Sequence, residues 1–146
     1  MNPAAALERT LHSEIPISQA MGIRVASYDG KILRLTAPLA PNTNHKSTAF
    51  GGSLYSLAVL CGWGMLHNRL AEMGLEKHIV IQGGDIRYLL PVNADMQAEC
   101  MLDEAAFERF LQTLKKHGRA RLALDTRILQ NGQNAVTFTG NYVAHE

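Results

Sequence analysis

Apolar residues recur along this chain in two different periods, and the helical period dominates two segments of its first half. A short helix is predicted to begin at Asn2 and Pro3, since asparagine caps free backbone amides and proline suits the first helical position. A much longer helix is predicted from about Thr48 to Met73, with Gly74 as its C-terminal stop.

The first two-thirds of the long predicted helix have no polar face. Its last turns, from His67 to Glu72, are more polar and are expected to emerge into water. A helix that is apolar all round must be covered on most sides. Either a curved sheet wrapped around it or a larger all-helical core would provide that cover, and the remaining segments decide between the two.

Those segments favour a sheet, because their apolar residues follow the two-residue period of strands. Asp29-Gly30 and Asn131-Gly132 predict tight hairpins, and Gly83-Gly84 predicts a bulge or bend inside a strand. One short surface helix is expected within residues 103–118. The predicted strands cover residues 23–28, 31–37, 77–90, 94–102, 119–130 and 133–143. The pattern therefore predicts a mainly antiparallel, strongly curved sheet rolled around the central helix.

Length and charge narrow the class of protein. A chain of 146 residues has the size of one ordinary domain, so a single domain over residues 1–146 is expected. Its 14 basic and 13 acidic residues leave a formal charge of +1 without a basic stripe, which argues against nucleic-acid binding. The six histidines lack ligand spacing and Cys61 and Cys100 are expected in the core, so no metal is expected.

The N-terminus lacks the basic start and apolar stretch of a secretory signal, so a reducing, cytoplasmic setting is expected. The most apolar stretch, Leu54 to Leu66, contains 13 residues. As a helix it would reach only about 20 Å, against the roughly 30 Å of a bilayer core. It is predicted to be a buried helix and not a membrane span.

The order of the predicted elements is helix, hairpin, loop, long buried helix, and then strands with one helical insertion. This order resembles that of the hotdog-fold thioesterases, and the likeness covers nearly the whole chain. It is most specific at residues 44–55, which are similar to a thioesterase-like domain found at the C-terminus of some GNAT acetyltransferases. The resemblance implies an α+β hotdog fold, in which a curved antiparallel sheet of five or six strands wraps a long central helix, and activity on acyl thioesters.

The start of the long helix is the candidate site. Thioester hydrolysis needs a donor to polarise the carbonyl as it becomes an oxyanion, and a group that positions or deprotonates water. Amides in the first helical turn have no intrahelical partner and lie at the positive end of the helix dipole, and glycine lets a substrate approach closely. Gly51 is assigned this donor role; the alternative is that Gly51 and Gly52 only permit tight packing. Substrate binding is assigned to Phe50, Gly52, Ser53 and Ser56.

Asn44 and His45 are candidates for handling the attacking water. Asn44 stands seven residues before Gly51, a spacing at which the similar thioesterases place Asn or Gln. His45 is a candidate general base, because histidine as a residue type is suited to proton transfer at neutral pH. The alternatives are a local turn for Asn44 and a solvated loop position for His45. The chain departs from the better-known relatives, which carry histidine where it has Phe50 and an acid where it has Val59. The resemblance therefore assigns the general-base role to no residue of this chain.

Asp85 is the main replacement candidate, because it is a lone carboxylate after a glycine pair in the strand that follows the helix. In hotdog dimers this strand runs along the subunit interface, so the resemblance implies that Asp85 could reach the partner's site. The alternative is that Asp85 simply pairs with Arg87 or another basic residue.

The resemblance thus implies an acyl-CoA or acyl-ACP thioesterase that acts as a homodimer or homotetramer, with coenzyme A present only as part of the substrate and no membrane partner. The missing acid at position 59 favours a second hypothesis, an acyl-thioester-binding or interaction domain without turnover. A hotdog dehydratase or hydratase would need a catalytic histidine with a nearby acid, and no such pair begins the central helix.

Overall fold

The computed structural model describes residues Asn2–Glu146. Within this range the helices are α1 (Pro3–Glu14), α2 (Pro16–Ala20), α3 (Gly51–Glu72) and α4 (Glu104–His117). The strands are β1 (Arg24–Tyr28), β2 (Ile32–Ala37), β3 (His78–Tyr88), β4 (Met96–Met101), β5 (Arg119–Gln130) and β6 (Gln133–His145). None of the helices in the described range combines the length and the apolarity that crossing a membrane requires.

The six strands form one antiparallel sheet in the order β1-β2-β4-β5-β6-β3, so β1 and β3 lie at its edges. The sheet curves around α3, which contacts strands β2 to β6. The prediction of a curved antiparallel sheet of five or six strands around a long central helix is confirmed, with six strands. The register shift of β3 against β6 falls between Ile81 and Gly83, where the glycine pair predicts a bulge.

Both predicted hairpins are present, and local chemistry explains each. The carboxylate of Asp29 accepts hydrogen bonds from the backbone N–H groups of Lys31 and Ile32, at 2.9 and 2.8 Å. Asn131 and Gly132 have φ angles of 52° and 76°, the left-handed pair that a two-residue turn between right-twisted strands requires. The residues that predicted these turns are therefore the ones that supply the hydrogen bonds and the backbone conformation that the turns need.

Helix α3 is anchored to the sheet by two aromatic side chains. The Tyr142 hydroxyl donates to the carbonyl oxygen of Val59 at 2.7 Å, and the Trp63 indole N–H donates to that of Ile79 at 3.1 Å. Gly62 makes room for the first contact, since a Cβ there would lie 2.3 Å from the Tyr142 hydroxyl oxygen. These contacts fix the rotation of α3 within the sheet.

The two cysteines are free and fully buried, which confirms that they pack in the core. Burial raises the pKa of both thiols, that of Cys100 to about 12. Both therefore remain neutral thiols at physiological pH.

The structure adds one helix that was not predicted and corrects one expectation about α3. Helix α2 was not predicted, because its five residues are too few to show a helical period. The polar end of α3 emerges later than predicted: Asn68 and Leu70 are only 5% and 1% exposed. The reason lies outside the helix, since Arg69 donates to the carbonyl oxygen of Gly30 at 2.9 Å and holds this turn against the β1–β2 hairpin.

Candidate functional site

No side chain in the described part of the chain caps the N-terminus of α3. Phe50 precedes the helix in an extended conformation, with φ −65° and ψ 134°, and the first helical hydrogen bond runs from the Leu54 N–H to the Phe50 carbonyl at 3.0 Å. The N–H groups of Gly51, Gly52 and Ser53 therefore precede the first helical bond and have no intrahelical acceptor. These three donors lie at the positive end of a 22-residue helix.

The chain that enters this helix is held by a buried asparagine. Asn42 is 3% exposed, and its amide nitrogen donates to the carbonyl oxygens of Met21 and Pro38 at 2.9 and 2.8 Å. Its own carbonyl accepts from the Phe50 N–H at 2.7 Å. Because this bond keeps Phe50 extended, α3 begins at Gly51 and not at Thr48 as predicted.

Asn44 lies in the loop before the helix, and its side chain organises that loop. Its amide oxygen accepts from the N–H groups of Lys46 and Thr48 at 2.8 and 3.2 Å, and its amide nitrogen donates to the Thr48 hydroxyl at 2.8 Å. Asn44 thus has the local turn role that the sequence offered as the alternative. A catalytic role would require some of these bonds to exchange for bonds to water or substrate, and it stays a prediction.

The other residues assigned to the helix start differ in their availability. His45 is exposed in the loop, whereas Ser53 is half-buried in the first turn. The ring of Phe50 is 55% exposed and folds over Gly52, where an added Cβ would lie 2.4 Å from a ring carbon. The Ser56 hydroxyl donates to the Gly52 carbonyl at 2.9 Å, which directs it toward its own helix.

Tyr88, at the end of β3, contacts the candidate site and was missed by sequence reasoning. Its hydroxyl donates to the Gly51 carbonyl at 2.9 Å, and its ring lies 3.5 Å from where a Cβ on Gly51 would sit. Burial, with a further contribution from Tyr55, raises the pKa of Tyr88, so the hydroxyl remains a protonated donor. The two-residue period of β3 places Tyr88 on the same face as Gly84, and this signal was available in the sequence.

Asp85 lies on the opposite face of β3. An added Cβ on Gly84 would point at Phe138 and Tyr55, toward the helix, so its neighbour Asp85 points away from it. The Asp85 carboxylate lies 3.6 Å from the Arg87 guanidinium, and both side chains are more than two-thirds exposed, at 74% and 71%. Within one protomer the structure does not bring Asp85 to Gly51, and its role in a partner's site stays a prediction.

Position 59, where the better-known relatives carry an acid, holds a half-buried valine in this chain. The side chain of Val59 packs against the core, and its backbone carbonyl oxygen accepts a hydrogen bond from the Tyr142 hydroxyl. Within residues 2–146, no group of three or more His, Cys, Asp and Glu side chains is placed to hold a metal ion. The candidate site therefore has neither a carboxylate at position 59 nor a cluster of metal ligands in the described range, and its main chemical groups are the backbone N–H donors at the start of α3.

Two solved structures at or above 30% identity match almost the whole chain. A protein of unknown function from Chlorobaculum tepidum is 35% identical, with 98% of this chain and 94% of that chain covered and a TM-score of 0.95. A "putative thioesterase" from Shewanella oneidensis is 31% identical, with 99% and 98% covered and a TM-score of 0.91. A protein from Pseudomonas aeruginosa at 20% identity covers 99% of this chain and 96% of its own, with a TM-score of 0.84, and shows the fold alone.

The fold is accordingly the α+β hotdog fold that the sequence resemblance implied. A family model described as "Putative thioesterase (yiiD_Cterm)" matches residues 4–146. The unpaired amides at the start of α3 and the sheet that surrounds this helix lie within the matched range. The chain belongs to this thioesterase family.

Proposed function

We propose that this protein hydrolyses acyl-CoA or acyl-ACP thioesters at the start of α3. The observation that carries the proposal is the set of three backbone donors at Gly51, Gly52 and Ser53 that have no intrahelical acceptor, at the start of a helix in a chain of a thioesterase family. Donors fixed in the folded backbone are already oriented when negative charge develops on a carbonyl oxygen.

In the proposed reaction the Gly51 N–H donates to the thioester carbonyl oxygen. Water attacks the carbonyl carbon, the new C–O bond forms, and the C–S bond then breaks. The proton that water loses reaches the thiolate, which leaves as a free thiol. Tyr88 supports this step as a positioning residue, because its hydroxyl holds the Gly51 carbonyl and so orients the Gly51–Gly52 peptide, which carries the neighbouring donor N–H of Gly52.

The proposed water-handling groups are Asn44, His45 and an Asp85 supplied by a second protomer. Strand β3 is an edge strand, and its Val80 is 47% exposed, so two copies could pair there edge to edge. Pairing of this kind keeps Asp85 on the outer face of the joined sheet, so Asp85 would serve a protomer whose α3 begins against that outer face. The proposed enzyme is therefore a homodimer or a dimer of dimers, with each site completed by its partner.

The second candidate function is binding of acyl thioesters without turnover. Val59 favours it, since no carboxylate is available at the position where better-known relatives carry one. The hydrogen bonds that occupy the Asn44 side chain favour it as well, because they commit this side chain to its own loop and not to water.

The test is release of free thiol from a panel of acyl-CoAs, detected with a thiol reagent. The proposal predicts release above the uncatalysed rate for at least one chain length. Retention on immobilised CoA thioethers without thiol release from any acyl-CoA or acyl-ACP would replace it with the binding function. A chain that sediments as a monomer at micromolar concentration would remove the shared site.

Two variants test the water-handling groups. Asn44→Asp keeps the oxygen that accepts from the loop amides and removes the amide donor, so the loop should fold while the rate falls. Asp85→Asn should lower kcat, whereas Asp125→Asn is the matched control, because Asp125 and Asp85 flank Thr139 on the same face of the sheet. Equal rates for Asp85→Asn and Asp125→Asn would exclude Asp85 as a catalytic group.

A further inference from the structure

A pocket of about 330 Å³ opens beside the first turn of α3, against the segment that follows β3. Its floor consists of Ala49, Leu54 and Val92, which are 6%, 4% and 0% exposed. Its rim includes Leu89 and Leu90, which are 56% and 39% exposed. A concave site with a buried apolar floor and a solvent-exposed apolar rim is typical of ligand pockets.

The lining of this pocket restricts the ligand chemistry. Among residues 2–146, the lining includes no charged side chain, and its one polar side chain is Tyr88, whose hydroxyl already donates to the Gly51 carbonyl. A charged group placed there would lose water without gaining a partner, which is unfavourable. The pocket therefore suits an uncharged, apolar group.

The walls of the pocket are held in place by backbone hydrogen bonds. The N–H groups of Leu89 and Leu90 both donate to the carbonyl of Ala135, at 2.7 and 3.1 Å. On the other side, the Ala49 N–H donates to the Val92 carbonyl at 2.8 Å. The pocket is consequently preformed and does not need a ligand to shape it.

Gly51 connects this pocket with the proposed oxyanion donors, because it lines the pocket and also carries one of the unpaired N–H groups. A thioester whose carbonyl accepts from the Gly51 N–H would start its acyl chain at the pocket's edge. The pocket and the proposed oxyanion donor thus share one residue, Gly51.

We propose that this pocket is the subsite for the acyl chain and that it selects uncharged aliphatic chains of roughly six to ten carbons. The volume of about 330 Å³ holds at most about eleven groups of roughly 30 Å³, the volume of a water molecule in the liquid. The chain is expected to be shorter than this limit, because the pocket is open at its rim. The inference rests on the proposed function for the placement of the carbonyl, and its test is a binding measurement that needs no turnover.

The test uses non-hydrolysable S-alkyl-CoA thioethers and isothermal titration calorimetry. Each buried methylene strengthens binding about fourfold, so S-octyl-CoA should bind at least ~10-fold tighter than S-ethyl-CoA even in a partly open pocket. S-dodecyl-CoA should bind no tighter than S-octyl-CoA. S-(7-carboxyheptyl)-CoA should lose the gain, because its terminal carboxylate has no partner. Equal affinity for the ethyl and octyl ligands would overturn the proposal.

Leu90→Trp should narrow the rim and abolish the preference for the octyl over the ethyl ligand. Met73→Trp is the matched control, since Met73 is 44% exposed and lies beyond the opposite end of α3. An unchanged preference for the octyl over the ethyl ligand in Leu90→Trp would overturn the subsite. A variant that changes only the sedimentation coefficient would overturn it as well, because the rim would then be a contact surface for a second copy of the chain. Chain-length selection without any thiol release would keep the subsite and refute hydrolysis.

Discussion

Replacing Gly84 with alanine is expected to destabilise the protein markedly, whereas the same change at Gly83 is not. A Cβ on Gly84 would lie 2.5 and 2.7 Å from two ring carbons of Phe138 and 2.9 Å from the Tyr55 hydroxyl oxygen. Phe138 is 2% exposed and meets Tyr55 edge to face at 5.2 Å between ring centroids, so neither ring can move freely. At Gly83 an added Cβ would meet nothing within 4 Å.

Overpacking of this kind costs about 1–3 kcal/mol. For a chain of this size that corresponds to a decrease in Tm of about 3–10 °C. Gly83→Ala should leave Tm unchanged or raise it slightly, because alanine restricts the unfolded chain by about 0.4–1 kcal/mol. Thermal unfolding followed by circular dichroism measures both variants at equal protein concentration. Equal Tm values for the two variants would refute the packing of Gly84 against the Tyr55–Phe138 pair.

Three further predictions concern other regions of the molecule. Burial against Trp63 lowers the pKa of His67, and the charge of Glu14 opposes this shift. Because the unfolded chain therefore takes up the proton at a higher pH than the folded protein, the free energy of unfolding decreases as pH falls below about 6.5. His67→Phe should show a smaller decrease in Tm between pH 7.5 and 5.5 than the unsubstituted protein, and an equal decrease would contradict the assignment. Cys61 and Cys100 should not react with a thiol reagent until the protein is unfolded in guanidinium, and rapid reaction of the native protein would show that the core opens. Asn42→Ala should lower the free energy of unfolding in urea by about 1–3 kcal/mol, since two backbone carbonyls lose their donor, and a loss below about 0.5 kcal/mol would mean that water replaces the side chain.

Most of the sheet could be predicted from the sequence, because its signals are local. The alternation in residues 119–130 gives the observed strand β5 with the same limits, and the turn at Asn131 and Gly132 follows from backbone conformation alone. The central helix was equally visible from its apolar surface. Features of this kind depend on residues close together in the chain, so a single sequence reveals them.

The details of the site could not be predicted in the same way, because they depend on contacts between distant segments. Tyr88 donates to Gly51 across 37 positions of the chain, and the start of α3 is set by the hydrogen bond between Phe50 and Asn42. A local turn role for Asn44 was one of the alternatives open from the sequence, but no residue near Asn44 in the chain distinguished it from a catalytic role. The position of Asp85 on the outer face follows from the phase of β3, which the bulge before Gly83 shifts.

The measurement that tests the central claim most directly is the thiol-release rate of Gly51→Pro compared with that of Gly51→Ala. Proline at this position removes the N–H, and its ring is compatible with the backbone, because proline suits the first residue of a helix and Phe50 is already extended, as the residue before a proline must be. Alanine keeps the N–H, and its Cβ would meet Tyr88 at an ordinary contact distance of 3.5 Å. The account predicts that Gly51→Pro lowers kcat by about 100- to 1000-fold relative to Gly51→Ala, with both variants folded. Equal rates for the two variants would contradict it.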